Sequence, residues 1–211
     1  MPQQNRVTPF GEIVTDPARG LFMGNRGILH GADGTLGTSR WRHPHWIICR
    51  TEFRGRHRVV MSPGKYTELF FADEAVALAA GHRPCAECRR AAYNEYRRAW
   101  QAEDADQLPR AGDMDATLHR QRVVSPRRQK ITYTAKLSSL PHGAFFIHPR
   151  RPDVALLKTD DGLWRWSHLG YAALTKSELE PHDIVAVLTP RASVAALSAG
   201  YRPELLNSKI S

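Results

Sequence analysis

The run LAAGHRPCAECRR, residues 78–90, stops one helix, starts another and sets two thiols between them. Upstream, YTELFFADEAVALAAG (66–81) contains the alanine-rich EAVALAA, a strong helix former that Thr67 or Asp73 is placed to cap. Gly81 stands where a left-handed residue closes a helix, and Pro84 bars continuation. CRRAAYNEYRRAW (88–100) then resumes helical periodicity, basic on one face with Tyr93, Tyr96 and Trp100 on the other. Cys85 and Cys88 therefore sit on a turn before a helix, which aims both sulfurs at one point. That is half of a tetrahedral zinc site. The adjoining Arg83, Arg89 and Arg90 would favour the thiolate forms that bind metal.

An internal echo separates the helix stop from the thiols. LAAGHRP (78–84) and LSAGYRP (197–203) share L-x-A-G-x-R-P, yet only the first is followed by C-x-x-C. G-x-R-P is thus a helix stop and carries no chemistry of its own. The chain has three cysteines, which argues for thiolate chemistry or burial and against a disulfide framework. A redox dithiol would require the strand, C-x-x-C and helix of a βαβ unit, and that setting is missing.

ADEAVALAAGHRPCAECRR (72–90) resembles the end of the metal-binding domain of Ada-type DNA alkylation-repair proteins, where an Ala-rich helix runs into G-[FY]-R-P-C-x-x-C and basic residues. The resemblance spans about residues 45–95. It implies an Ada-like zinc module in which two upstream cysteines, separated by three residues on a strand and turn, complete a four-cysteine site. One of that pair accepts methyl groups from DNA phosphotriesters in the family. The strand WIICRTEF (46–53) offers Cys49 as the first of the pair, but Phe53 stands where the second belongs. Cys49, Cys85 and Cys88 then need a fourth ligand of another kind. His57 on the following charged turn is the favoured candidate, ahead of His30, His82 and His119, and a site with three cysteines and one histidine is ordinary zinc chemistry.

The formal net charge is +9, with Lys and Arg at 30 against 21 Asp and Glu. Such a balance favours an anionic partner: nucleic acid, and DNA by the resemblance. RWRHPHWIICRTEFRGRHR (40–58) interleaves six arginines with two tryptophans, suited to phosphate contact with base stacking. Arg54, Arg56, Arg58, Arg83, Arg89 and Arg90 are the expected phosphate-contacting residues. Two weaker signals also stand out. Asp115 and His119 are four apart and share a helix face, so with His30 they are candidate catalytic residues. MGNRG (23–27) is a glycine-flanked turn able to hold a phosphate, without the spacing of a P-loop.

The expected fold is α+β. Residues 1–100 form the Ada-like zinc module, with short strands and two helices, and 101–130 a linker holding one or two helical turns at 112–122. Residues 131–211 form a small β-rich barrel or sandwich with a C-terminal helix, read from KITYTAKL, GAFFIHP, DVALLKT, GLWRWS and DIVAVLT between turns. No apolar run spans a membrane, and the N-terminus lacks a signal-peptide layout, so the expected location is the cytoplasm. Three functions stay open: a nucleic-acid-associated protein with structural zinc, an enzyme of DNA repair or modification, or a zinc-stabilised protein-interaction module.

Overall fold

The computed structural model describes residues 2–55, 59–100, 107–124, 129–174 and 179–206. Its first part is a mixed six-stranded sheet built from β1 (Gln4–Val7), β2 (Ile13–Thr15), β3 (Phe22–Asn25), β4 (Ile47–Arg50), β5 (Leu69–Phe71) and β6 (Arg83–Pro84), in the order β2-β1-β5-β3-β4-β6. The strand expected in WIICRTEF is β4, which pairs antiparallel with β3 and parallel with β6. The run YTELFF is not part of the following helix. Leu69 and Phe71 are buried on alternate positions of β5, so period two prevails there and the helix starts only after Asp73.

α1 (Glu74–Ala79) is buried along its whole length. Of the two candidate caps, Asp73 is the one used: its Oδ1 accepts from the Val76 N–H at 3.0 Å. Thr67 instead serves the loop before it, accepting from Leu29 N–H and meeting His30 Nδ1. The helix ends as its glycine requires. Gly81 has φ +88° and donates to Leu78 O, and His82 N–H reaches back to Ala77 O at 3.0 Å. The echo behaves identically: Gly200 has φ +100° and donates to Leu197 O, while Tyr201 donates to Ala196 O. Both copies of L-x-A-G-x-R-P are the same stop.

The chain continues through α2 (Arg90–Ala99), α3 (Ala111–Arg122) and the short pair β7 (Val123–Val124) and β8 (Gln129–Lys130). α3 is longer than the turn or two expected within 112–122. A second six-stranded sheet follows, with β9 (Tyr133–Lys136), β10 (Phe145–His148), β11 (Arg151–Thr159), β12 (Gly162–Ser167), β13 (Gly170–Ala173) and β14 (Ile184–Val187) in the order β13-β12-β11-β10-β14-β9. All its pairings are antiparallel, and among the described residues none joins β13 to β9. The sheet is therefore open and not a closed barrel. α4 (Arg191–Ser198) completes an α+β architecture.

The two sheets meet at α1, which packs against β5 on one side and β10 on the other. Its two acidic residues fasten later segments to it. Asp73 Oδ2 accepts from the Tyr171 hydroxyl and the Leu206 N–H, and Glu74 accepts from the Tyr201 hydroxyl and the Glu204 N–H. Tyr96 of α2 and Ser193 of α4 share a buried hydrogen bond of 2.8 Å. One apolar cluster accordingly runs from Val7 to Tyr201. Among the described residues no helix is long and apolar enough to cross a membrane.

Candidate metal centre

Strand pairing brings the three cysteines together. β4 and β6 run in parallel with Ile47 beside Arg83 and Ile48 beside Pro84, and the ladder extends one step further when Cys85 N–H donates to Ile48 O at 3.0 Å. Cys49 is the next residue of β4, so it lies alongside Cys85. The chain then turns: Arg89 N–H donates to Cys85 O at 3.2 Å, which brings Cys88 back over the same point. The sulfurs of Cys49, Cys85 and Cys88 all lie within 4.8 Å of one another. A Zn–S bond of about 2.3 Å puts the sulfurs of a tetrahedron about 3.8 Å apart, so the group is close to a metal-bound spacing.

Backbone donors already favour thiolate. Glu87 N–H points at Cys85 Sγ and Arg50 N–H at Cys88 Sγ, each at 3.4 Å. Hydrogen bonds from the Cys49 and Cys88 thiols pull Cys85 down to about 2, and the same contact with Cys85 pushes Cys49 up. Three thiols crowded at one point thus compete for protons, with Cys85 the one pulled toward thiolate. A divalent cation relieves that crowding by replacing the protons. The donor set, three sulfurs with none of the oxygen ligands that calcium or magnesium takes, fits zinc or another thiophilic ion.

The cysteines open on a cleft of about 260 Å³ that Met23, Phe53, Tyr66, Glu68 and Phe70 also line. Phe53, the position at which the Ada pattern has cysteine, thus sits on the wall of the site and supplies no ligand. Among the described residues no histidine or carboxylate completes the group. His57 lies outside the described residues, as do Arg56 and Arg58. His82 is fully buried against Phe71 and Trp46, with ring centroids 4.6 and 5.1 Å away, and burial drives its pKa well down. His30 is held by Thr67 and by Ser62 O. Its Nε2 must donate to that carbonyl, so its tautomer is spent on the loop.

Two of the arginines expected to face phosphate do not. Arg83 is 5% exposed and forms a forked pair with Asp115, both contacts at 2.8 Å. Arg89 is 4% exposed and forks onto Glu74 at 2.6 and 2.9 Å. Each neighbours the C-x-x-C turn and anchors it to a buried carboxylate, one on α3 and one on α1. Their charge is paired inside the protein, where they fix the turn in place. Arg54 and Arg90 remain exposed, as does Arg50 beside Cys49.

The Asp115–His119 pairing is replaced by another. Asp115 Oδ2 also meets His45 Nδ1 at 2.9 Å, across 70 positions of sequence, while His119 Nδ1 faces Arg122 at 3.0 Å. The His45 side chain is 62% exposed on a carboxylate that is itself buried. Asp115 is thus held by Arg83 of β6 and by His45, and not by the histidine four positions along its own helix. Comparison of the chain with family models, with curated proteins and with solved structures gives no match.

Proposed function

We propose that the protein is a cytoplasmic, zinc-binding, nucleic-acid-associated protein in which Cys49, Cys85 and Cys88 hold a structural zinc ion. The observation that carries this reading is the convergence of those three sulfurs, from a strand and a distant turn, within 4.8 Å. The metal would tie β4 to the start of α2 and contribute folding free energy directly. The fourth ligand is His57, which lies outside the described residues, or a group from outside the chain that enters by the cleft beside the sulfurs. Arg50, Arg54 and Arg90 are exposed near the cysteines in sequence, on a chain of net charge +9, and supply phosphate contacts. The Ada-type resemblance points the same way, with Phe53 as its clear departure. Elemental analysis of the purified protein should give one zinc per chain, and Cys85→Ser should lose it. Metal-free wild-type protein that folds normally would contradict the proposal.

One observation favours a second reading, an enzyme of nucleic-acid repair or modification. His45 is a solvent-facing imidazole oriented by a buried aspartate, and that aspartate is itself held by Arg83. This is the arrangement of a general base. Turnover of alkylated, deaminated or nicked DNA that His45→Ala abolishes would establish it, and inert substrates across that panel would set it aside.

A further inference from the structure

On the other side of the first sheet lies a recess of about 790 Å³ with four cations on an otherwise mostly apolar wall. Arg26, Arg122, Lys130 and Arg40 line it, with Trp41 and Trp46. Arg26 and Arg122 are 2% and 1% exposed. Both guanidinium groups lie over the Trp46 ring, at 4.1 and 3.6 Å from its centroid. Arg26 gives one N–H to Gly11 O at 3.0 Å and faces His82 at 3.4 Å, yet its Nη2 has no partner. Arg122 donates to Gly81 O and Pro44 O at 2.6 Å each, and its Nε has none. Among the described residues, Lys130 Nζ reaches Ala79 O alone.

The contrast with the rest of the interior is what matters. Arg83 and Arg89 are each matched to a buried carboxylate, and Asp73 to a hydroxyl and backbone donors. In the recess the cations meet carbonyls, the Trp46 ring and two imidazoles, His82 and His119. The acidic residue on this wall, Glu12, is exposed, and Asp115 is already forked onto Arg83. Unpaired buried charge is costly, and an anion entering the cavity would offset that cost. Burial, followed by repulsion from Arg40 for Arg26 and from Arg26 for the other two, lowers Arg26 to about 9, Arg122 to about 8 and Lys130 to about 7.

We propose that this recess is an oxyanion site that takes a phosphate group, carried by a free nucleotide or by the end of a nucleic-acid strand. Arginine forks match phosphate oxygens, and the orphaned Nη2 of Arg26 and Nε of Arg122 are the donors left for them. Half-buried Trp41 on the same wall offers a ring on which a base can stack. MGNRG contributes through the Arg26 side chain and not through its glycines. The site does not depend on the zinc reading.

The test uses the purified full chain at fixed ionic strength, with calorimetry and thermal melts. The probes are inorganic phosphate, AMP, and one oligonucleotide with and without a 5′ phosphate. Inorganic phosphate should bind saturably and raise Tm. Arg122→Met and Lys130→Met should each weaken binding by about tenfold or more, the usual loss for one charge-assisted contact. Lys130→Met leaves the Arg122 contacts to Gly81 and Pro44 intact, so it reports even where Arg122→Met folds poorly. Preference for the 5′-phosphorylated strand over AMP identifies a strand end as the source, and the reverse identifies a free nucleotide. The proposal is overturned if no phosphate probe binds saturably, or if binding is unchanged in both variants.

Discussion

Arg89→Met separates an anchoring role from a nucleic-acid contact. Arg89 and Glu74 side chains are 2% and 1% exposed, and two hydrogen bonds of 2.6 and 2.9 Å join them. Methionine fills much of the same volume but leaves the Glu74 carboxylate inside the protein without its cation. Breaking a buried pair in this way costs about 3–5 kcal/mol. Glu74 keeps the Tyr201 hydroxyl and the Glu204 N–H, so the lower end of that range, about 3 kcal/mol, is expected. For a chain of this size that lowers Tm by about 6–12 °C. Exposed Arg90 is the internal control, and Arg90→Ala should change stability by less than about 0.5 kcal/mol. Urea denaturation followed by circular dichroism measures both. If Arg89→Met costs no more than Arg90→Ala but weakens DNA binding, Arg89 faces phosphate and the reasoning fails.

Gly81→Ala and Gly200→Ala compare the two copies of the helix stop. Both have positive φ and should lose about 1–2 kcal/mol. A Cβ at Gly81 would also lie 2.5 Å from Arg122 Cδ, whereas at Gly200 nothing lies within 4 Å, so Gly81→Ala should cost clearly more in denaturant melts. Equal losses would show that Arg122 does not pack there. Lys130 has an ordinary value of 10.5 and is held near 7, chiefly by burial and then by Arg26 and Arg122. Between those pH values the unfolded chain binds the extra proton, so stability should rise with pH. Lys130→Met should flatten that rise in phosphate-free buffer, and an identical slope would refute the burial of this charge. Binding to random-sequence DNA should weaken steeply with salt, and Arg54→Ala and Arg90→Ala should each reduce the slope of log affinity against log salt by about one. A flat salt dependence would point to a protein partner.

The cysteine cluster was legible because its parts are local. A β-branched run marks the strand of Cys49, and a glycine stop with Pro84 marks the turn of Cys85 and Cys88; only their meeting needed three dimensions. The roles of the arginines were not legible, because sequence displays a charge without its partner. Arg83 finds Asp115 and Arg89 finds Glu74, 32 and 15 positions away, and neither carboxylate looks unusual in its own helix. The same blindness hid the contact of Asp115 with His45, 70 positions away. In the recess the signals were scattered over Arg26, Trp46, Arg122 and Lys130, each unremarkable alone. β13 was missed because GYAA is short and has neither β-branched residues nor alternation.

X-ray absorption at the zinc edge tests the metal centre most directly, on wild-type protein beside Cys85→Ser. The wild type should contain one zinc per chain with three sulfur neighbours near 2.3 Å and one nitrogen or oxygen, and the variant should lose the metal or one sulfur. A zinc shell without sulfur, or a folded wild type that takes up no zinc, would contradict the assignment of Cys49, Cys85 and Cys88.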